Sequence, residues 1–333
     1  MARDGYPVQM QAQPLPLRVA IREIPPMMAH RMFAGFARLR RLGAVFCATV
    51  CLAGAAGAKT PPARVLVVVA HPDDDTDFAG AVYKITHVLG GKADLCVITN
   101  GEGGYRYATL AEPIYGLKLT QEAVGRKALP AIRKKEARAG GAIAGISNYF
   151  FLDQLDKAYT ENVHEVLENQ WDTAFVRRRL AEILNKGHYD FVFIAEPTKT
   201  THGGHQAASL MALAAVAAMP AGRRPVILAT NTYKKGDQAP LYSGRDDFPV
   251  ARGRAVDPPL EFDLKQPFGF QDRLDYRIIA NWVIAEHKSQ GIMQLYLNAF
   301  DTERFFFFAI DDDAGVARTK ALFARLSDRS LKP

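Results

Sequence analysis

Six apolar residues, Val65-Leu66-Val67-Val68-Val69-Ala70, followed at once by His71-Pro72-Asp73-Asp74-Asp75, constrain this chain more than any other feature. A run with no polar alternation reads as a strand buried on both faces, the mark of a parallel sheet in an α/β domain. Pro72 fixes φ and turns the chain out of the strand. In open α/β sheets ligands bind just past the carboxyl ends of strands, so one imidazole and three carboxylates are expected at that edge. An Asp-rich turn can also cap the next helix, through Thr76 or Asp77. Capping, however, gives no role to His71.

The rest of the chain repeats this plan. Residues 78–89 have helical spacing and stop at Gly90-Gly91, and residues 93–99 form a second buried strand, which completes a βαβ unit. Next comes Asn100-Gly101-Glu102-Gly103-Gly104. It lacks the GxGxxG order of a dinucleotide site and reads as either a turn or a substrate-facing loop, with Tyr105, Tyr107 and Tyr115 available to stack on a sugar. A helix is expected over 127–146, carrying Arg133 and Glu136, then a strand over 148–152 followed by Asp153 and Asp156. After a helix over 172–186, the strand 190–195 ends in a polar turn that holds His202-Gly203-Gly204-His205 and opens an apolar helix over 207–219. A strand follows at 225–229. Residues 231–272 show little periodicity and are expected to act as a mobile lid and specificity element. A helix over 273–297, a strand over 305–310 and a polar helix close a single domain, 59–333, without internal repeats.

Residues 1–58 hold seven Arg, no Lys and two acids, which is +5 of the chain's net +7. The remainder has no strong basic character, so no nucleic-acid partner is expected. Arg38, Arg40 and Arg41, the apolar run 42–56 and Ala56-Gly57-Ala58 have the form of a secretory signal peptide. Cleavage is expected near Ala58, giving a periplasmic or extracellular protein with no stable membrane association; an uncleaved anchor is the alternative. Cys47 and Cys51 leave with the leader, and Cys96 is expected to be a buried structural thiol.

Two imidazoles and a carboxylate, His71, Asp74 and His205, make the ligand set of an open catalytic zinc site, and the same set suits Fe(II) or another divalent ion. Asp73 beside it is placed for a general base and His202 for a general acid, an arrangement built for hydrolysis.

Ala70-His71-Pro72-Asp73-Asp74, the Thr-Asn-Gly-Glu segment ending at Glu102, Arg133 with Glu136, Phe151-Leu152 before Asp156, His202-x-x-His205 and His287-x-Ser289-Gln290 resemble, in order, the motifs of the PIG-L/LmbE family of zinc-dependent N-deacetylases. The resemblance implies a Rossmann-like three-layer fold with a mostly parallel sheet and removal of an acyl group from an N-acetylglucosamine-type sugar or glycan. It implies that His71, Asp74 and His205 bind Zn2+, that Asp73 deprotonates water and that His202 protonates the leaving amine or stabilises the oxyanion. Arg133 and Asp156 would lie near the sugar, and His287 would support the site. The chain departs from the family pattern at Asp75 (often Glu), Gly204 (often Asp) and Thr200 (a tyrosine in some members). An amidase on a non-sugar acyl amide and a non-catalytic glycan-binding protein are the alternatives.

Overall fold

The computed structural model describes residues 61–237 and 241–333; the leader and its expected cleavage site near Ala58 lie outside the described residues. In chain order the elements are β1 (Arg64–Val69), α1 (Ala79–Tyr83), β2 (Lys92–Thr99), α2 (Glu112–Tyr115), α3 (Glu122–Ala144), β3 (Ile146–Gln154), α4 (Val163–Asn169), α5 (Thr173–Gly187), β4 (Phe191–Ala195), α6 (Gly203–Ala217), β5 (Val226–Tyr233), the short strands β6 (Gly253–Arg254), β7 (Leu260–Asp263), β8 (Pro267–Phe268) and β9 (Leu274–Asp275), then α7 (Arg277–Glu286), β10 (Thr302–Phe308) and α8 (Asp313–Ser327).

Successive side chains of β1 go to opposite faces. Leu66, Val68 and Ala70 enter the core formed with α4, α5 and α6, while Val65, Val67 and Val69 enter the core formed with α1, α7 and α8. A strand between two apolar layers has no solvent face, so its sequence does not alternate. Leu66 is fully buried. Leu66→Ala is expected to cost about 2–5 kcal/mol through lost transfer energy and a residual cavity, read as a lower denaturant midpoint at unchanged slope. Cys96 lies in the same layer, and burial pushes its thiol up to about 12.

The sheet order is β3-β2-β1-β4-β5-β10-β6, parallel from β3 through β5, with β10 antiparallel to β5. The chain runs outward from β1 to β3 on one side and then returns to lay β4 against the other side of β1. That reversal is the topological switch point at which open α/β sheets form their ligand crevice. Both histidine-bearing turns leave the sheet there, one after β1 and one after β4.

Two expectations are corrected. The helix over 78–89 is broken: a 3-10 turn spans Asp74–Phe78, α1 is five residues, and Lys84–Val88 widens into a π-turn. The Thr86 hydroxyl donates to the carbonyls of Val82 and Tyr83 at 3.0 and 3.1 Å, a back-bond that competes with regular helix. The described part of residues 231–272 contains regular structure that the lack of periodicity did not suggest. Its strands β6 and β7 pair with the outer edge of β10, Arg254 opposite Phe307 and Leu260 opposite Phe305, which covers a phenylalanine-rich edge that would otherwise invite association. The helix over 273–297 stops at Glu286 because the following backbone is captured elsewhere, Ser289 donating its amide and hydroxyl to Glu136 at 2.9 and 2.6 Å. Among the described residues no helix is long and apolar enough to cross a membrane.

Candidate active site

The turn after β1 is folded by Asp74. Its Oδ2 accepts the amides of Ala70 at 3.1 Å and His71 at 2.8 Å, bending the carboxylate back over the strand end. Asp73 precedes the 3-10 turn, yet its side chain caps nothing, and its Oδ1 is buried without a hydrogen-bond partner. Helix capping therefore does not account for Asp73, and its carboxylate stays available.

The turn after β4 sets the other two imidazoles. His202 is the N-cap of α6, and its Nδ1 accepts the Gly204 amide at 2.9 Å. A Cβ on residue 204 would stand 2.9 Å from that nitrogen and 3.2 Å from the ring of His71. Glycine is what lets the three rings approach.

His205 Nε2 lies 3.1 Å from His71 Nδ1 and 3.2 Å from Asp74 Oδ1, and His71 Nδ1 lies 3.5 Å from Asp74 Oδ2. A tetrahedral ion with bonds of about 2.0–2.1 Å separates its donor atoms by roughly 3.4 Å, so these three residues fit one divalent cation. Ligating imidazoles usually have their second nitrogen held by a polar partner. Here His71 Nε2 faces Asp156 Oδ2 at 4.0 Å, and His205 Nδ1 meets the Thr201 hydroxyl at 3.2 Å.

His202 also brings a ring nitrogen within 4.8 Å of nitrogens of His71 and His205, so proximity alone admits it as a ligand. The tautomer argues against that. A neutral imidazole has one lone-pair nitrogen, and His202 commits its own to the Gly204 amide. Nε2 then carries the proton and is a donor.

The electrostatics follow from this packing. Burial opposes a charge on His71, but the Asp74 carboxylate, with Asp156 and Asp73, outweighs it and lifts the pKa to about 9. Burial also opposes the Asp74 anion, yet His205 and His71 hold its pKa well below the usual range. Burial and the neighbouring His71 and His205 depress His202 to about 4. A field that draws protons onto this cluster also draws a cation.

A cavity of about 620 Å³ opens over the cluster, with Asp73, Asp156, Arg126, Tyr159, His202 and Met293 among its walls. Asp156 is there, but it is turned toward His71 and accepts the Gly103 amide at 3.1 Å. Arg133 is not: it is 1% exposed, lies under the glycine loop and donates to the Gly101 carbonyl. Gly101 has φ +68°, and a Cβ there would meet the guanidinium at 2.4 Å, so glycine is needed twice over. Burial lowers the Arg133 pKa against the pull of Asp73, Asp156, Glu136 and Glu102. It sits as a buried cation behind the base and is not on the cavity wall. His287 is equally buried and holds Asp75 Oδ1 at 2.8 Å, behind the turn. Tyr105 and Tyr107 line the cavity, whereas Tyr115 donates to Glu136 at 2.7 Å.

Arg126 and Tyr159 also line the cavity. Arg126 looks like an ordinary i,i+4 partner of Glu122, which it contacts at 2.8 Å, yet it also donates to the Asp156 carbonyl at 3.0 Å. Tyr159 comes from a loop and places its ring edge-on to His202 with centroids 5.0 Å apart. No local pattern marks either one.

Residues 66–216 match the family model PIG-L, described as GlcNAc-PI de-N-acetylase. A probable N-acetyl-alpha-D-glucosaminyl L-malate deacetylase 2 of Bacillus cereus is 27% identical over 171 residues, 51% of this chain and 69% of that protein. Among solved structures, the N,N'-diacetylchitobiose deacetylase from Pyrococcus horikoshii aligns at 24% identity and TM-score 0.35, over 46% of this chain and 49% of that one. The chain thus spans about half the length of that deacetylase. A 4-carboxy-2-hydroxymuconate hydratase from Pseudomonas putida aligns at 16% identity and TM-score 0.47, over 73% and 95% of the two chains. The match over residues 66–216 takes in both histidine-bearing turns, and over that stretch the chain is similar to the PIG-L family.

Proposed function

We propose that residues 59–333 form a metal-dependent N-deacetylase that removes an acyl group from an N-acetylglucosamine-type sugar or glycan. The observation that carries this reading is the division of labour at the switch point. His71, Asp74 and His205 have donor atoms spaced for one cation, while Asp73 and His202 face the same cavity with a free carboxylate and a protonated nitrogen. When bound, a divalent ion, of which zinc suits this N/O set, supplies Lewis-acid polarisation and lowers the pKa of water. Asp73 takes a proton from the attacking water. The water oxygen adds to the acyl carbon, His202 Nε2–H donates a hydrogen bond to the developing oxyanion, the C–N bond breaks, and the amine leaves with the proton that Asp73 took from water. Asp156 keeps the His71 ring in register, and Tyr159 packs against the His202 ring. The B. cereus relative is described as acting on an N-acetylglucosaminyl compound, and the P. horikoshii protein on diacetylchitobiose, which supports an amino-sugar substrate.

The purified protein, loaded with zinc, is expected to release acetate from N-acetylglucosamine-type substrates with one free amine appearing per acetate. Stoichiometric metal with no acetate from any N-acetylated amino sugar or glycan would overturn the reading. We further propose that the protein is exported with cleavage near Ala58. N-terminal sequencing of the protein recovered outside the cytoplasm is expected to begin near Lys59.

A further inference from the structure

A second cavity, about 260 Å³, adjoins the first and shares Asp74, His205, Met293 and Tyr296 with it. The oxyanion donor and the base do not reach it: His202, Asp73 and His71 line only the larger cavity. An amide has two halves. If Asp73 passes its proton to the leaving nitrogen, the amine half lies in the larger cavity, and the acyl half projects from the far side of the carbonyl carbon, toward Asp74 and His205. The smaller cavity begins there.

Its size and lining do not suit a methyl group alone. A methyl is close to one water molecule in bulk, about 30 Å³, far below the volume present. The walls mix apolar surface (Leu264, Ala280, Ile284, Phe300) with hydrogen-bonding groups, Thr201, Thr232 and Asp77. Asp77 is the informative one. It is partly buried on the 3-10 turn, and among the described residues it accepts no hydrogen bond and forms no ion pair. Its carboxyl group faces the cavity with no protein partner and is free to take a hydrogen bond from a ligand that brings a hydroxyl or amino group.

Resting on the deacylase reading above, we infer that the smaller cavity is the acyl-side subsite, and that it takes acyl groups longer than acetyl that carry a hydroxyl or amino donor to meet Asp77. Met293 lies on the shared wall, held by the Thr76 hydroxyl at 3.8 Å from its sulfur. An unbranched thioether there leaves the passage between the two halves adaptable.

The test compares N-acetyl-, N-butyryl- and N-(4-hydroxybutyryl)glucosamine as substrates of the zinc-loaded enzyme, scored as kcat/KM. The wild type is expected to hydrolyse the hydroxybutyryl amide at least as well as the acetyl amide. Ala280→Phe, which fills the cavity from α7, is expected to lower the butyryl-to-acetyl ratio about tenfold or more, the scale set by a mismatched apolar pocket. Asp77→Ala is expected to lower the hydroxybutyryl-to-butyryl ratio. Each readout is a ratio of two substrates on one sample, so a partly folded variant lowers both rates and leaves the ratio unmoved. Exclusive use of the acetyl amide, or ratios that neither variant shifts, overturns the acyl subsite and leaves the deacetylase standing. Turnover of none of the three, with metal bound, removes both.

Discussion

Asp73→Asn is expected to lower turnover by about a thousandfold or more while bound metal stays stoichiometric, because it removes a proton acceptor without removing volume. General-base catalysis contributes roughly 10²–10⁴ in rate, and two features of this chain place Asp73 at the upper end. Its Oδ1 is buried with no hydrogen-bond partner, so no other task competes for the carboxylate. Behind it lies Arg133, a buried cation on which Asp73 exerts the largest pull of the surrounding carboxylates. The amide side chain of Asn fits the same space, so His71 and Asp74 on either side of it keep their positions. Kinetics paired with metal analysis checks the expectation. Loss of metal together with activity would show that Asp73 is a ligand and that a different group takes the proton.

The second large effect separates the two histidines of the α6 turn. His205→Ala is expected to abolish stoichiometric metal binding, since it removes one of three donors. His202→Ala is expected to keep the metal and lose about 10²–10³ in kcat, the scale for removing one donor to developing charge. The distinction rests on one hydrogen bond. The Gly204 amide occupies His202 Nδ1 and leaves Nε2 as a donor, whereas His205 has Nδ1 on the Thr201 hydroxyl and turns Nε2 toward His71 and Asp74. Metal content measured on both variants, with circular dichroism to verify the fold, decides it. Equal metal loss in the two would make His202 a fourth ligand.

The Asp75–His287 pair shows how the fold supports this chemistry from behind. Burial raises the Asp75 pKa, against the opposing pull of His287, so the two groups depend on each other for neutralisation. Glu136 receives Ser289 and Tyr115 in the same region. These bonds end α7 and fix the chain that carries Met293 and Tyr296 to both cavities. The motif order legible in the sequence, Arg133 with Glu136 and His287 with Ser289, thus reports a buried frame more than a sugar-contacting surface.

Legibility varied with the range of the interactions. The strand Arg64–Val69 was readable because burial on two faces leaves a local mark, an unbroken apolar run. The His-rich turns were readable because several ionisable side chains crowded past a strand have few structural uses. The strand pairing within 231–272 was not legible because its strands are short and irregular, and their pairing to β10 depends on a partner some fifty residues away. Arg126 and Tyr159 left no trace, since a helix-surface arginine and a loop tyrosine have the same local sequence whether or not a cavity lies beneath them.

By itself the sequence determined the parallel α/β core and the residue types at two strand ends, because periodicity and residue chemistry are local properties. Only the tertiary structure decided how His71, Asp74, His202 and His205 divide their work. That depends on which ring nitrogen is already occupied and which carboxylate oxygen is already bonded. It also depends on the return of the chain from β3 to lay β4 beside β1, which brings residues more than a hundred positions apart to within 3.1 Å.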